Sequence, residues 1–98
     1  LEPYRRPCAT ILPMAKVEIF TTKLCPYCYR AKALLKSKGV AFHEVDVSFN
    51  PEMRRSLLER TGRRTVPQIF INEQSVGGYD DIAALDEEGK LDALLASS

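Results

Sequence analysis

The sequence predicts an α/β fold: a four-stranded mixed sheet flanked by helices, in the order βαβαββα. Three observations carry that prediction. Short β-branched and aromatic runs alternate with amphipathic helical patterns, as where Val17 to Thr21 gives way to the segment opening at Pro26. Prolines stand where helices begin, at Pro26 and Pro51, and glycines where they end, at Gly39 and Gly62. Two later apolar runs are separated only by a short polar turn, which requires an antiparallel hairpin.

Taken in order, Val17 to Thr21 reads as a buried strand. Pro26 suits the first turn of a helix, where its missing N–H costs nothing. Tyr27, Ala31, Leu34 and Leu35 fall on one apolar face of that helix, and Gly39 stops it. Ala41 to Val47 follows as a second strand, with Phe42, Val45 and Val47 as its apolar members. The first strand–helix–strand unit is long enough for a right-handed parallel crossover. Asn50-Pro51 is a cap followed by proline, and Met53, Leu57 and Leu58 give a second amphipathic helix. Gln68 to Asn72 is a third strand, and a turn through Glu73 and Gln74 leads to a fourth at Ser75-Val76. Gly77-Gly78 breaks it. Asp80 or Asp81 is expected to cap a helix carrying Ile82 and Leu85, and Leu91, Leu94 and Leu95 suggest a last helical turn or two.

Composition narrows the function. The chain has 98 residues, 28% of them charged, which suits a single domain able to build a core without disulfide staples. A net charge of +1 gives no global field for nucleic acid or membrane. No apolar run approaches the ~20 residues of a membrane helix. Three cysteines fit a secreted disulfide framework poorly and suggest a cytoplasmic thiol protein. Residues 1–14, rich in proline and without periodicity, read as an N-terminal extension preceding a domain over 15–98. Cys8 within it reads as a spare thiol.

The chemistry lies in Cys25-Pro26-Tyr27-Cys28, at the junction of strand and helix. There the Cys25 sulfur can accept N–H groups of the first helical turn, and the positive end of the helix dipole favours its thiolate, the nucleophilic form. Lys23 adds a nearby positive charge. Cys28, on the same side of the helix start, is placed to attack a mixed disulfide formed at Cys25. A zinc site is the bland alternative, but only His43 and Cys8 stand out as further ligands, so no metal is expected.

Three motifs together resemble the glutaredoxin family, of the bacterial dithiol type within the thioredoxin superfamily. They are Cys25-Pro26-Tyr27-Cys28 after a strand, Thr65-Val66-Pro67 just before Gln68-Ile69-Phe70-Ile71, and Gly77-Gly78-Tyr79-Asp80-Asp81 after the hairpin. The resemblance runs from Ala15 to Leu95. It implies a thioredoxin-like fold and a glutathione-dependent thiol–disulfide oxidoreductase acting on protein disulfides and glutathionylated proteins. It implies that Pro67 is cis and faces the cysteines, and that the Val66 backbone, beside Thr65, pairs with the cysteinyl part of glutathione. Gly78, Tyr79, Asp80 and Asp81 would bind the γ-glutamyl end, and Arg63, Arg64 or Lys23 the glycyl carboxylate. Tyr27 would flank the groove. Glutathione would be a co-substrate regenerated through glutathione reductase, with no tightly bound cofactor, and the protein a monomer. Departures from the family pattern are Thr22 where a basic residue is common, Glu59 or Leu58 where glutamine is common, and Tyr79 where a smaller residue is common. The rival readings are an electron donor reduced by thioredoxin reductase and an iron–sulfur cluster carrier.

Overall fold

The computed structural model describes residues 15–96. The extension expected over residues 1–14, with Cys8, lies outside the described residues. The elements are β1 (Val17–Thr21), α1 (Pro26–Ser37), β2 (His43–Asp46), α2 (Pro51–Thr61), β3 (Gln68–Ile71), β4 (Gln74–Gly77), α3 (Tyr79–Glu87) and α4 (Leu91–Ala96). The strands form one mixed sheet in the order β2-β1-β3-β4. β1 runs parallel to β2, with Phe20 opposite Val45, and antiparallel to β3, with Ile19 opposite Ile69. β3 and β4 make the expected hairpin.

Side-chain alternation along the strands builds a core on each face of this sheet. Val17, Ile19, Ile69 and Ile71 pack with Ala31 and Leu35 of α1, Ile82 of α3, and Leu91 and Leu95 of α4. Phe20 and Phe70 turn the other way and pack with Val47 and with Leu57 of α2. Their rings meet edge to face at 5.5 Å. Truncating any of the fully buried leucines or isoleucines to alanine should cost roughly 2–5 kcal/mol. Lys38 pairs with Asp86 and Asp92, which pins the end of α1 to α3 and α4.

Several boundaries differ from expectation. β2 keeps only His43–Asp46 of the expected Ala41–Val47, because it is an edge strand whose register with β1 covers just those residues. The hairpin turn sits one residue earlier: Asn72 and Glu73 both take positive φ, 53° and 68°, which suits the twist of a tight two-residue loop. Tyr27 does not join the buried face of α1. That face is Cys28, Ala31 and Leu35. Tyr27 is 51% exposed and lies beside the Tyr79 ring, with the Arg30 guanidinium 5.3 Å from its own ring centroid.

Candidate active site

The site forms where β1 ends and three loops converge. Cys25 is the N-cap of α1, in an extended conformation, with Pro26 at the first helical position. Its Sγ accepts a hydrogen bond from the Cys28 N–H at 3.3 Å, the part a serine or aspartate oxygen plays at other caps. The positive end of α1 therefore points at this sulfur. From the other side, the Cys25 thiol donates to the Val66 carbonyl at 3.7 Å. The Val66–Pro67 peptide bond is cis.

Cys28 is only 2% exposed. Burial, and then its hydrogen bond with Cys25, push the Cys28 thiol from an ordinary 9.0 up to about 12, against opposing pulls from the Thr22 backbone and the Lys32 charge. The two cysteines of one motif thus occupy different environments. One lies at the surface on a helix start, and the other lies behind it in the core.

The wall opposite the helix is the segment 63–67. Gln68, buried at the start of β3, holds it in place: its amide Nε2 donates to the carbonyls of Arg63 at 2.9 Å and Thr65 at 3.0 Å. Sequence reasoning placed Gln68 only as a strand residue. The available signal was an amide opening a strand that is otherwise apolar and buried, since such a group needs partners.

The third side is the turn from β4 into α3. Neither Asp80 nor Asp81 caps α3, contrary to expectation. The helix begins at Tyr79 with Gly78 as N-cap, and Asp81, at the third helical position, reaches back. Asp81 Oδ2 accepts the Gly78 N–H at 2.9 Å and the Arg63 guanidinium at 2.8 Å. Arg63 first, and the Gly78 N–H second, hold the Asp81 carboxyl below the usual aspartate range. The close approach needs glycine. A Cβ at Gly77 would collide with the Asp81 carboxylate, and one at Gly78 would stand 3.1 Å from the Pro67 carbonyl oxygen.

These walls enclose a groove of about 250 Å³ lined by Tyr27, Arg63, Thr65, Val66, Pro67, Gly78, Tyr79, Asp80 and Asp81. Tyr27 and Tyr79 face each other across its mouth with ring centroids 6.3 Å apart. Two expected lining residues are elsewhere. Lys23 turns toward α2, its backbone N–H donating to Ser48 Oγ at 2.9 Å and its ammonium 5.4 Å from the Phe49 ring. Arg64 lines a separate depression with Arg54, Arg55 and Leu58, since adjacent residues of an extended segment face opposite ways. Glu59 is exposed on α2 and does not line the groove.

The glutaredoxin family model matches residues 17–76, a span holding both cysteines and Thr65-Val66-Pro67. The chain belongs to the glutaredoxin family. It is 57% identical over 82 residues to glutaredoxin 3 of Escherichia coli strain K12, across 84% of this chain and 99% of that protein. It is 54% identical over 84 residues to a glutaredoxin of Pseudomonas aeruginosa, across 86% of this chain and 100% of that one. Among solved structures, it resembles the solution structure of a Brucella melitensis glutaredoxin at 57% identity and a TM-score of 0.77, over 85% of this chain and 90% of that chain. It also resembles the crystal structure of a buckwheat glutaredoxin–glutathione complex at 30% identity and a TM-score of 0.79, over 83% and 76% of the two chains. The fold is accordingly thioredoxin-like.

Proposed function

We propose that Cys25 is the attacking sulfur and Cys28 the resolving one, and that glutathione lies in the groove bounded by Tyr27, Arg63, Thr65 to Pro67 and Gly78 to Asp81. The chain, as a glutaredoxin, is a glutathione-dependent thiol–disulfide oxidoreductase. The observation that carries the residue-level reading is the position of Cys25 Sγ. It sits at the start of α1 and against the Val66 carbonyl, at the edge of the groove.

Each part has a physical role. The Cys25 thiolate attacks the glutathione sulfur of a glutathionylated protein, forms a Cys25–glutathione disulfide and releases the protein thiolate. A second glutathione thiolate attacks that disulfide, leaving oxidised glutathione and the Cys25 thiolate. With a protein disulfide, the Cys25 thiolate attacks one sulfur and releases the other as a thiolate. Cys28 then attacks the Cys25–protein disulfide, its proton passing to the departing protein thiolate, and forms the Cys25–Cys28 disulfide that two glutathione thiols reduce. The Val66 backbone suits pairing with the cysteinyl part of the ligand as one strand pairs with another. The first N–H groups of α3 suit a carboxylate of the γ-glutamyl end, and the Asp80 and Asp81 carboxylates suit its ammonium. Arg63, while paired with Asp81, is the cation that lines the groove and suits a ligand carboxylate.

The partners of this reading are disulfide-containing or glutathionylated proteins, with glutathione reductase acting indirectly and no tightly bound cofactor. A thiol pair of this kind suits the reducing cytoplasm. Among the described residues, no helix is long and apolar enough to cross a membrane.

The test is reduction of the mixed disulfide of glutathione and 2-mercaptoethanol, coupled to glutathione reductase. The chain should turn it over, and Cys25→Ser should abolish turnover. Disulfide reduction driven by thioredoxin reductase alone, with no glutathione present, would overturn the reading.

A further inference from the structure

Cys25 also borders a second surface, which shares no residue with the glutathione groove. Leu24 is 95% exposed, Phe49 86% and Tyr29 64%. Single exposed apolar residues are ordinary on a protein surface, but these are joined. One depression of about 510 Å³ is lined by Thr22, Lys23, Leu24, Ser48, Phe49 and Arg54. Another of about 520 Å³ is lined by Lys23, Leu24, Cys25, Pro26, Tyr29 and Arg30. They meet at Lys23 and Leu24, and the second runs up to Cys25 itself. Three cations, Lys23, Arg30 and Arg54, lie among the apolar residues, and no carboxylate lines either depression. The placement of Lys23, unexplained by the glutathione groove, belongs to this surface.

We propose that this face docks the protein substrate, as an extended segment in which the reacting cysteine is flanked by apolar and acidic side chains. The inference rests on Cys25 being the attacking sulfur. Charge complementarity decides the occupant: carboxylates on the partner would meet Lys23, Arg30 and Arg54, while Leu24, Phe49 and Tyr29 offer apolar contact. A basic segment would be repelled by the same three cations. The arrangement places Cys25 between the two sulfur sources of the exchange, glutathione in one groove and the protein along the other.

Two disulfide-bridged peptides of equal length test it. One carries leucine and glutamate beside its cysteines, and the other serine and lysine. The wild-type chain should reduce the acidic–apolar peptide with a kcat/KM about tenfold higher, a difference of ~1.4 kcal/mol. That preference should shrink as salt is raised. The double variant Leu24→Ser with Phe49→Ser, and separately Arg54→Glu, should lose most of it while turning over the small glutathione–mercaptoethanol disulfide at the wild-type rate. Equal rates on both peptides, or variants that keep the preference, would overturn the docking surface. So would variants that lose the small substrate as well, since the residues would then serve the exchange itself. Absence of turnover of the small disulfide by the wild type would instead fault the assignment of Cys25.

Discussion

Arg63, in the loop before Pro67, and Asp81, in the first turn of α3, meet at 2.8 Å beside the groove, through the same carboxylate oxygen that receives the Gly78 N–H. One carboxylate thereby ties the segment leading to Pro67 to the start of α3 and to the turn from β4 that precedes it. The groove is shaped by side chains that are half-exposed, so the pair contributes more to geometry than to stability.

Changing Asp81 to Asn keeps the shape and removes the charge. The KM for glutathione should rise several-fold with a smaller effect on kcat, read from steady-state kinetics. The loss of folding stability should not exceed about 1 kcal/mol, as for other exposed pairs. The pH dependence has a definite sign. The folded Asp81 carboxyl lies below its ordinary 3.8, so its stabilising contribution is complete above 3.8 and is lost as pH falls from 3.8 through the lower folded value. Thermal melts of wild type and Asp81→Asn should therefore converge in that acid range.

The Cys28 thiol, pushed up by burial to about 12, stays protonated across the neutral range. At pH 7 to 8, iodoacetamide should label Cys25 and spare Cys28, which peptide mapping by mass spectrometry reads directly. Cys28→Ser should retain reduction of glutathione mixed disulfides and lose most reduction of protein disulfides, and equal loss of both would contradict the assigned roles. The raised value also has a stability sign. Folded Cys28 holds its proton where the unfolded thiol releases it, so its contribution is intact below 9.0 and declines as pH rises from 9.0 toward about 12. Cys28→Ser should lack that alkaline decline relative to wild type.

How much of this was legible in the sequence depends on which interactions are local. Cys25 at a helix start, Asn50 as the cap of α2 and the hairpin all follow from neighbours in the chain, and the structure has each of them. Tyr27 has helical spacing with Ala31 but stays half-exposed beside Tyr79, and periodicity carries no information on which turn of a helix the core covers. Lys23 and Arg64 were candidates by charge and proximity, yet the side to which each points is set by the loop backbone. The Arg63–Asp81 pair spans 18 residues and depends on how α3 docks, which no local pattern encodes.

Gln68→Leu tests the clamp that sequence reasoning missed. Leucine fills similar space but offers no N–H groups, so the carbonyls of Arg63 and Thr65 lose donors now at 2.9 and 3.0 Å. Where those carbonyls stay shielded from water, the cost is about 1–3 kcal/mol. Chemical denaturation should show a loss in that range, with a raised KM for glutathione as segment 63–67 loosens. A stability loss with unchanged KM would show that Gln68 supports the fold alone.

Gly77→Ala should damage the groove by displacing Asp81, without replacing any side chain proposed to bind or react. Gly77 has a φ of 100°, which alanine adopts only under strain of order 1–3 kcal/mol. Its new Cβ would also collide with the Asp81 carboxylate, forcing that group away from Gly78 and Arg63. Gly89 is the control. It has a φ of 75° but nothing within 4 Å of an added Cβ, so Gly89→Ala carries the strain without the collision. Both variants should melt earlier than wild type, and only Gly77→Ala should raise the KM for glutathione. Because it already breaks the contacts that Asp81→Asn weakens, the double variant Gly77→Ala with Asp81→Asn should fall short of the summed effects. Full additivity in that cycle would mean that Gly77 and Asp81 act on the groove independently, contrary to the contact that links them.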